Sequence, residues 1–325
     1  MTDALVPTAE ALPTDVLDRL RRGTHDARGT MAPETVRALR RAWGAFLRWC
    51  AGRGVPPLPA DAGAVAEYVD ALAETPRRKA AGIRQAAWAI GRMHRLAGCP
   101  DPTAAEPVRQ ALKRAAKALG TRQSQAAPLG EYEVRRIAEA AGTRPAELRD
   151  LALVLVMRDL LARRSEAVAL DVADLAHDSD GSATALIRRS KTDQTGEGAV
   201  LYLSPPAADA VRAWLDAAAI REGAIFRAVN KAGRVGRRLQ PGEVPRIVKR
   251  LALRAGIKPE VAEGLSGHSA RVGMAQDLVA AGADLAGVMQ AGRWKSPTMP
   301  ARYTAALEAK RGAVAQFHAR RGKGF

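Results

Sequence analysis

Ser266-Gly-His-Ser-Ala-Arg-Val-Gly273, then Met289-Gln-Ala-Gly-Arg-Trp294, then Tyr303, is the densest run of chemically capable residues in the chain of 325. The first segment opens a helix expected over about 270–281. His268 and Arg271 are three apart, so both project from one face near the helix N-terminus. Free backbone N–H groups and the helix dipole make that place favourable for a phosphate. His-x-x-Arg is common by itself, and plain surface charge fits it equally well. Further helices are expected near 285–291 and 300–320. Tyr303 falls in the last of these, after Ser296-Pro297 and beside Arg302, where a core or rim tyrosine is the ordinary alternative to a reactive one.

Upstream, a helix is expected from Pro145 to Leu161, containing the apolar run Leu151 to Met157. Arg163-Arg-Ser-Glu166 follows it. Glu166 can hold the Arg163 guanidinium toward a ligand, or the two can form an ordinary intrahelical ion pair. The one clear β region lies between about 170 and 204, where Ala183–Ile187 and Ala199–Leu203 alternate like strands. Lys191 sits in the basic turn between them, aimed at a neighbouring ligand or simply solvated. Helices are also expected over 131–141, 207–219 and 243–255.

The N-terminal third reads as helical throughout. Pro33-Glu34-Thr35 starts a helix with Val36, Leu39, Trp43, Phe46 and Leu47 on one stripe, ending near Gly52 and Gly54. Asp61 caps a second, a third spans about Arg77 to Ala97, and a fourth spans Ala104 to Leu119. Residues 1–18 read as a loose arm and the polar stretch 120–130 as a linker. The domains expected are thus an arm, a helical bundle over 19–119, the linker, and a second domain over 131–325.

Lys and Arg number 51 against 34 Asp and Glu, a net charge of +17. That excess points to a polyanionic partner, nucleic acid first, with an anionic membrane surface or a ribosome as rivals. Cys50 and Cys99 have no metal-ligand spacing and fit a reducing compartment. No secretory signal or membrane-length apolar run is apparent, so a soluble cytoplasmic protein is expected.

Taken together, Arg163, Glu166, Lys191, His268, Arg271, Trp294 and Tyr303, in this order and at this separation, resemble the tyrosine recombinases (phage integrase family). The similarity extends into the N-terminal half through Leu47-Arg-Trp-Cys50 and Met93-His-Arg-Leu-Ala-Gly98. It implies a mainly α protein: a core-binding bundle of four or five helices, then an α+β catalytic domain with a small antiparallel sheet. It also implies a site-specific recombinase that needs no metal or other cofactor and stores the bond energy in a 3′-phosphotyrosine. Tyr303 would be the nucleophile, and Arg163 and Arg271 the clamp on the non-bridging oxygens. Lys191 would be the acid for the leaving 5′ oxygen, and His268 and Trp294 hydrogen-bond donors to the same phosphate. Glu166 would be the supporting carboxylate. His268 could also accept the tyrosine proton; an indole N–H cannot shuttle one.

The partner implied is double-stranded DNA with an inverted-repeat site, bound by four copies of a protein monomeric in solution. Candidate DNA contacts are Arg37, Arg40, Arg41, Arg78, Lys79 and Arg84 in the bundle, and Lys231, Arg246 and Lys249 in the second domain. Gly242 stands where the family resemblance suggests a base-reading arginine, so the target sequence is expected to be different. The terminal helix with Val314 and Phe317 would dock on a neighbouring copy, or pack in cis like any amphipathic helix. A type IB topoisomerase and a non-catalytic DNA-binding protein on the same fold are the alternatives.

Overall fold

The computed structural model describes residues 14–27, 29–122, 125–190, 193 and 196–321. It divides into two units, Met1–Ser124 and Gln125–Phe325.

The first unit is all helical: α1 (Thr14–Asp26), α2 (Pro33–Arg53), α3 (Ala62–Glu74), α4 (Ala80–Leu96) and α5 (Glu106–Leu119). The expected stripe of α2 is its buried face, where Leu39, Trp43, Phe46 and Cys50 are buried. Trp43, Phe46, Trp49 and Tyr68 form a contiguous aromatic cluster, with neighbouring centroids 5.1–6.2 Å apart. Asp61 caps α3 as expected, its carboxylate accepting from the Ala64 N–H at 3.1 Å. Buried His94 joins two parts of the bundle. Its Nε2 accepts from the Ala60 N–H at 2.9 Å while Nδ1 lies 2.8 Å from the Ile90 carbonyl. Burial lowers its pKa, so the ring is the neutral tautomer protonated at Nδ1.

Two boundaries differ from expectation. The arm over 1–18 is helical from Thr14, because Val16, Leu17 and Leu20 insert into the bundle core; residues 1–13 lie outside the described residues. The linker over 120–130 is shorter than expected. The Ala127 N–H donates to the Gly264 carbonyl and the Leu129 N–H to the Ser269 carbonyl, both at 3.0 Å, and Leu129 is fully buried. Residues 125–130 are thus an extended strap on the second unit, a long-range pairing that local composition does not encode.

The second unit is built around α7 (Pro145–Asp159), which is buried on several faces, as suits a central helix. α6 (Glu131–Glu139) and α9 (Pro205–Ala217) pack against it, and Trp214 of α9 donates through its indole N–H to the Ile225 carbonyl at 2.8 Å. The expected hairpin strands are β2 (Ala183–Ile187) and β3 (Ala199–Leu203), with β1 (Leu175–His177) added antiparallel in the order β1-β2-β3. A second hairpin pairs β4 (Arg227–Val229) with β5 (Val235–Arg238) and leaves no mark in the sequence, because strands this short carry no alternation to read. The remaining helices are α8 (Arg164–Ala169), α10 (Val244–Arg254), α11 (Pro259–Gly264), α12 (Ser269–Ala280), α13 (Leu285–Gly292), α14 (Thr298–Arg311) and α15 (Ala313–Arg321). The single helix expected over 300–320 is broken at Gly312. Among the described residues, no helix is long and apolar enough to cross a membrane.

Candidate active site

Arg163 does not sit within a helix. It is the extended residue before α8, and its backbone N–H donates to Glu166 Oε2 at 3.0 Å. Its guanidinium Nη1 donates to Glu166 Oε1 at 2.6 Å. The Arg163–Glu166 spacing is therefore a capping arrangement, not the intrahelical ion pair considered above. One buried carboxylate both starts the helix and fixes the arginine.

Arg271 lies in the first turn of α12 and is 2% exposed. Its Nη1 donates to the Leu161 carbonyl and its Nη2 to the Gly292 carbonyl at 2.5 Å. Leu161 has φ +42°, a strained left-handed residue in the turn after α7 that turns its carbonyl toward this guanidinium. Gly292 is the last residue of α13, whose negative dipole end favours a cation. The Arg271 guanidinium carbon stands 4.3 Å from the Trp294 ring centroid. Tyr303 meets Trp294 edge-on, the centroids 5.8 Å apart and the planes at 72°. Leu161, Val279 and Val288 are buried in the small apolar cluster against which both rings pack.

Tyr303 belongs to α14, which is tied to its own unit through the backbone. The Gln276 side-chain amide donates to the Tyr303 carbonyl at 2.8 Å, and that of Gln125 at 3.4 Å. His268 is exposed at the start of α12, with its N–H on Ser266 Oγ at 3.2 Å. Lys191 lies outside the described residues. Its flanking residues Ser190 and Asp193 line a cleft of about 400 Å³ whose other walls include Arg293, Trp294 and Lys295.

A third arginine joins the group. Arg293 is the residue just after α13 and donates from Nη2 to Glu166 Oε2 at 2.8 Å. Nothing in the sequence around Arg293 marks this role, since its partner is 127 positions away. Two guanidinium groups thus hold one carboxylate, and Arg271 lies close enough to feel its charge. Burial and then the neighbouring Arg163 push the Arg271 pKa down to about 10, so it stays protonated at neutral pH. Burial works to raise the Glu166 pKa, but Arg293 and Arg163 outweigh it and hold the carboxyl below its ordinary range. The surplus positive charge suits an anion.

Gly273 explains the end of the opening motif. A Cβ there would stand 2.0 Å from the Leu129 carbonyl oxygen of the strap. Gly273→Ala is expected to destabilise the second unit by about 2–3 kcal/mol through this backbone overlap, read as a lower urea midpoint.

Of the candidate DNA contacts, two in each unit line a cleft. In the first, Arg41 and Arg78 line a cleft of about 440 Å³ between α2 and α4, together with Arg48, which sequence reasoning missed. Arg37 is exposed and paired with Glu34, Arg40 is half-buried, and Lys79 and Arg84 are exposed at and near the start of α4. In the second unit, Lys231 at the β4–β5 turn and Arg246 of α10 line one cleft of about 730 Å³, whereas Lys249 is half-buried on α10 outside that lining. Arg250 and Arg254 of the same helix also line this cleft, but are paired with Asp150 and Glu147.

Residues 128–310, more than half of the chain, match the phage integrase family. An integrase/recombinase XerD homolog of Selenomonas ruminantium is 31% identical over 283 residues, 84% of this chain and 81% of that protein. The Cre recombinase of Escherichia phage P1 is 25% identical over 332 residues, 94% of each chain. Among solved structures, the Tn1549 transposon integrase in complex with transposon right end DNA is similar with a TM-score of 0.61 at 14% identity, covering 90% of this chain and 98% of that one. XerH recombinase in a post-cleavage complex with palindromic difH substrate is similar with a TM-score of 0.55 at 17% identity, over 78% and 72% of the two chains. The mainly helical fold, the convergence of Arg163, Glu166, Arg271, Trp294 and Tyr303, and these relatives agree: the chain belongs to the phage integrase family, the tyrosine recombinases.

Proposed function

We propose that this protein cuts and rejoins double-stranded DNA at a specific inverted-repeat site, through a 3′-phosphotyrosyl intermediate and a Holliday junction, without a metal or other cofactor. The observation that carries the proposal is the line from Arg271 across Trp294 to Tyr303, beside Arg163 and its carboxylate. It supports a phenol that works with a guanidinium pair carrying surplus positive charge.

Tyr303 Oη attacks the scissile phosphorus, forming a P–O bond to the phenol as the bond to the 5′ oxygen breaks. His268 receives the phenolic proton. Arg163 and Arg271 donate to the non-bridging oxygens, where negative charge grows in the transition state. Lys191 gives a proton to the departing 5′ oxygen, a poor leaving group as an alkoxide. Attack of a 5′ hydroxyl on the phosphotyrosine reverses the sequence and reseals the strand, so no external energy source is consumed. The two basic clefts, with Arg41 and Arg78 in one and Lys231 and Arg246 in the other, take the DNA backbone, making affinity salt-dependent. On α15, Val314 is 73% exposed and Phe317 51%, which favours docking on a neighbouring copy and assembly of four subunits on two sites. The reaction takes place on cytoplasmic DNA.

The test starts from a library of random duplexes nicked to trap cleavage, incubated with the protein in chelator. The expected result is an SDS-resistant protein–DNA adduct, enriched in an inverted repeat, that Tyr303→Phe does not form although it still retards the selected DNA. Retardation with no adduct from the wild-type protein would overturn the proposal in favour of a binding module. Adducts spread over unrelated sequences would favour a topoisomerase.

The role of Lys191 has its own signature. Lys191→Ala should slow cleavage on normal DNA about 10²-fold or more. A 5′-bridging sulfur at the scissile position should restore much of the rate, because a thiolate leaves without a proton. Equal impairment on both substrates would remove Lys191 from the acid role.

A further inference from the structure

Arg293 is an unusual occupant of its position. Its backbone is left-handed, φ 55° and ψ 44°, at a helix C-terminus where glycine is the common solution. Gly292, immediately before it, cannot take a side chain, since a Cβ there would meet the Trp294 ring at 1.8 Å. The unfavourable backbone conformation is therefore borne by a long charged residue, whose side chain is 13% exposed. That side chain returns to the start of α8. Nη2 donates to Glu166 Oε2 at 2.8 Å and approaches the Leu160 carbonyl at 3.4 Å. Nε and Nη1 are buried and have no hydrogen-bond partner among the described residues. Arg293 also lines the cleft shared with Ser190 and Asp193, which flank Lys191 in the sequence.

Both oxygens of Glu166 are thereby occupied, Oε1 by Arg163 Nη1 and Oε2 by the Arg163 N–H and Arg293. Arg163, Arg271 and Arg293 less Glu166 leave two net positive charges on these four side chains, and one without Arg293; the protonated Lys191 of the recombinase reading adds to either sum. A phosphodiester carries one negative charge in the ground state and gains a second as the phenolate adds to phosphorus. Removing Arg293 lowers the positive charge facing this growing negative charge, so its loss should fall on the chemical step more than on binding.

Building on the recombinase reading above, we infer that Arg293 is a positioning residue for strand cleavage. It engages the second oxygen of Glu166, so that Arg163 and Arg271 keep their charge for the phosphate. It also adds one positive charge beside Arg163 and Arg271. The inference predicts a defect in the chemical step that depends on the charge of the scissile phosphate.

The experiment measures single-turnover adduct formation on a nicked duplex carrying the selected site, with protein at saturation. Arg293→Gly relieves the backbone strain and should slow the reaction about 100-fold, with DNA affinity within about threefold of wild type. Arg293→Lys should recover at least a tenth of the wild-type rate by the same charge argument. Arg293→Met carries the same expectation as the glycine variant should that variant fail to fold. On a duplex with a methylphosphonate at the scissile position, where one charge is absent throughout, the gap between wild type and Arg293→Gly should close to a few-fold. A glycine variant cleaving at the wild-type rate would overturn the inference, as would an undiminished defect on the methylphosphonate. A wild-type protein that forms no adduct would instead overturn the recombinase reading, and this inference with it.

Discussion

Arg271→Ala is expected to lower the rate of strand cleavage by about 10³-fold or more, with much less effect on DNA affinity. The side chain is buried and held from two sides, by the Leu161 carbonyl after α7 and the Gly292 carbonyl ending α13, so its geometry is fixed before DNA arrives. A donor fixed in advance costs no reorganisation when charge develops on the phosphate. The variant loses that donor, and leaves two carbonyls unsatisfied and the Trp294 face uncovered. Arg271→Lys should recover little, because one ammonium cannot reproduce a planar fork held between two carbonyls. Single-turnover cleavage on a nicked duplex, with filter binding in parallel, separates the rate from the affinity. A loss shared equally between the two would show that Arg271 serves binding alone.

Glu166→Gln should destabilise the second unit by about 3–5 kcal/mol and abolish cleavage together. Removing the negative charge leaves the partly buried Arg163 and Arg293 side by side around a buried amide, and breaking a buried pair costs about that much. For a unit of this size the melting temperature should fall by roughly 10 °C. The pH dependence has a definite sign. The folded-state pKa of Glu166 lies below its unfolded value, so its contribution is complete above that unfolded value of about 4.3. It is lost as pH falls through the folded value. The variant should therefore show a shallower loss of stability below pH about 4 than the wild-type protein. Calorimetry of both between pH 3 and 7 checks this. Parallel curves would mean that folding leaves the Glu166 pKa unshifted, and a wild-type curve that falls faster as pH rises would mean that the carboxyl is protonated in the folded protein.

The local pieces of the fold were readable where the signal was local. The α2 stripe of Leu39, Trp43 and Phe46, the Asp61 cap and the hairpin strands follow from periodicity and turn chemistry. α1 was not readable, since three apolar residues beyond Pro13 acquire meaning only against the bundle core. Neither were β4 and β5, nor the strap at Ala127 and Leu129, because each is defined by its partner. The site divides in the same way. The motif residues can be named from their order in the chain, but their roles depend on approaches across it. Arg163 and Glu166 look like any pair three apart until α8 begins between them. Arg293 looks like surface charge until its left-handed backbone sends it to Glu166.

The most direct measurement is the identity of the protein–DNA bond. The SDS-resistant adduct, trimmed by nuclease and protease, should yield one peptide with a nucleotide joined through its 3′ phosphate to the Tyr303 oxygen. A phosphate on another residue, or a linkage through the 5′ phosphate, would contradict the account.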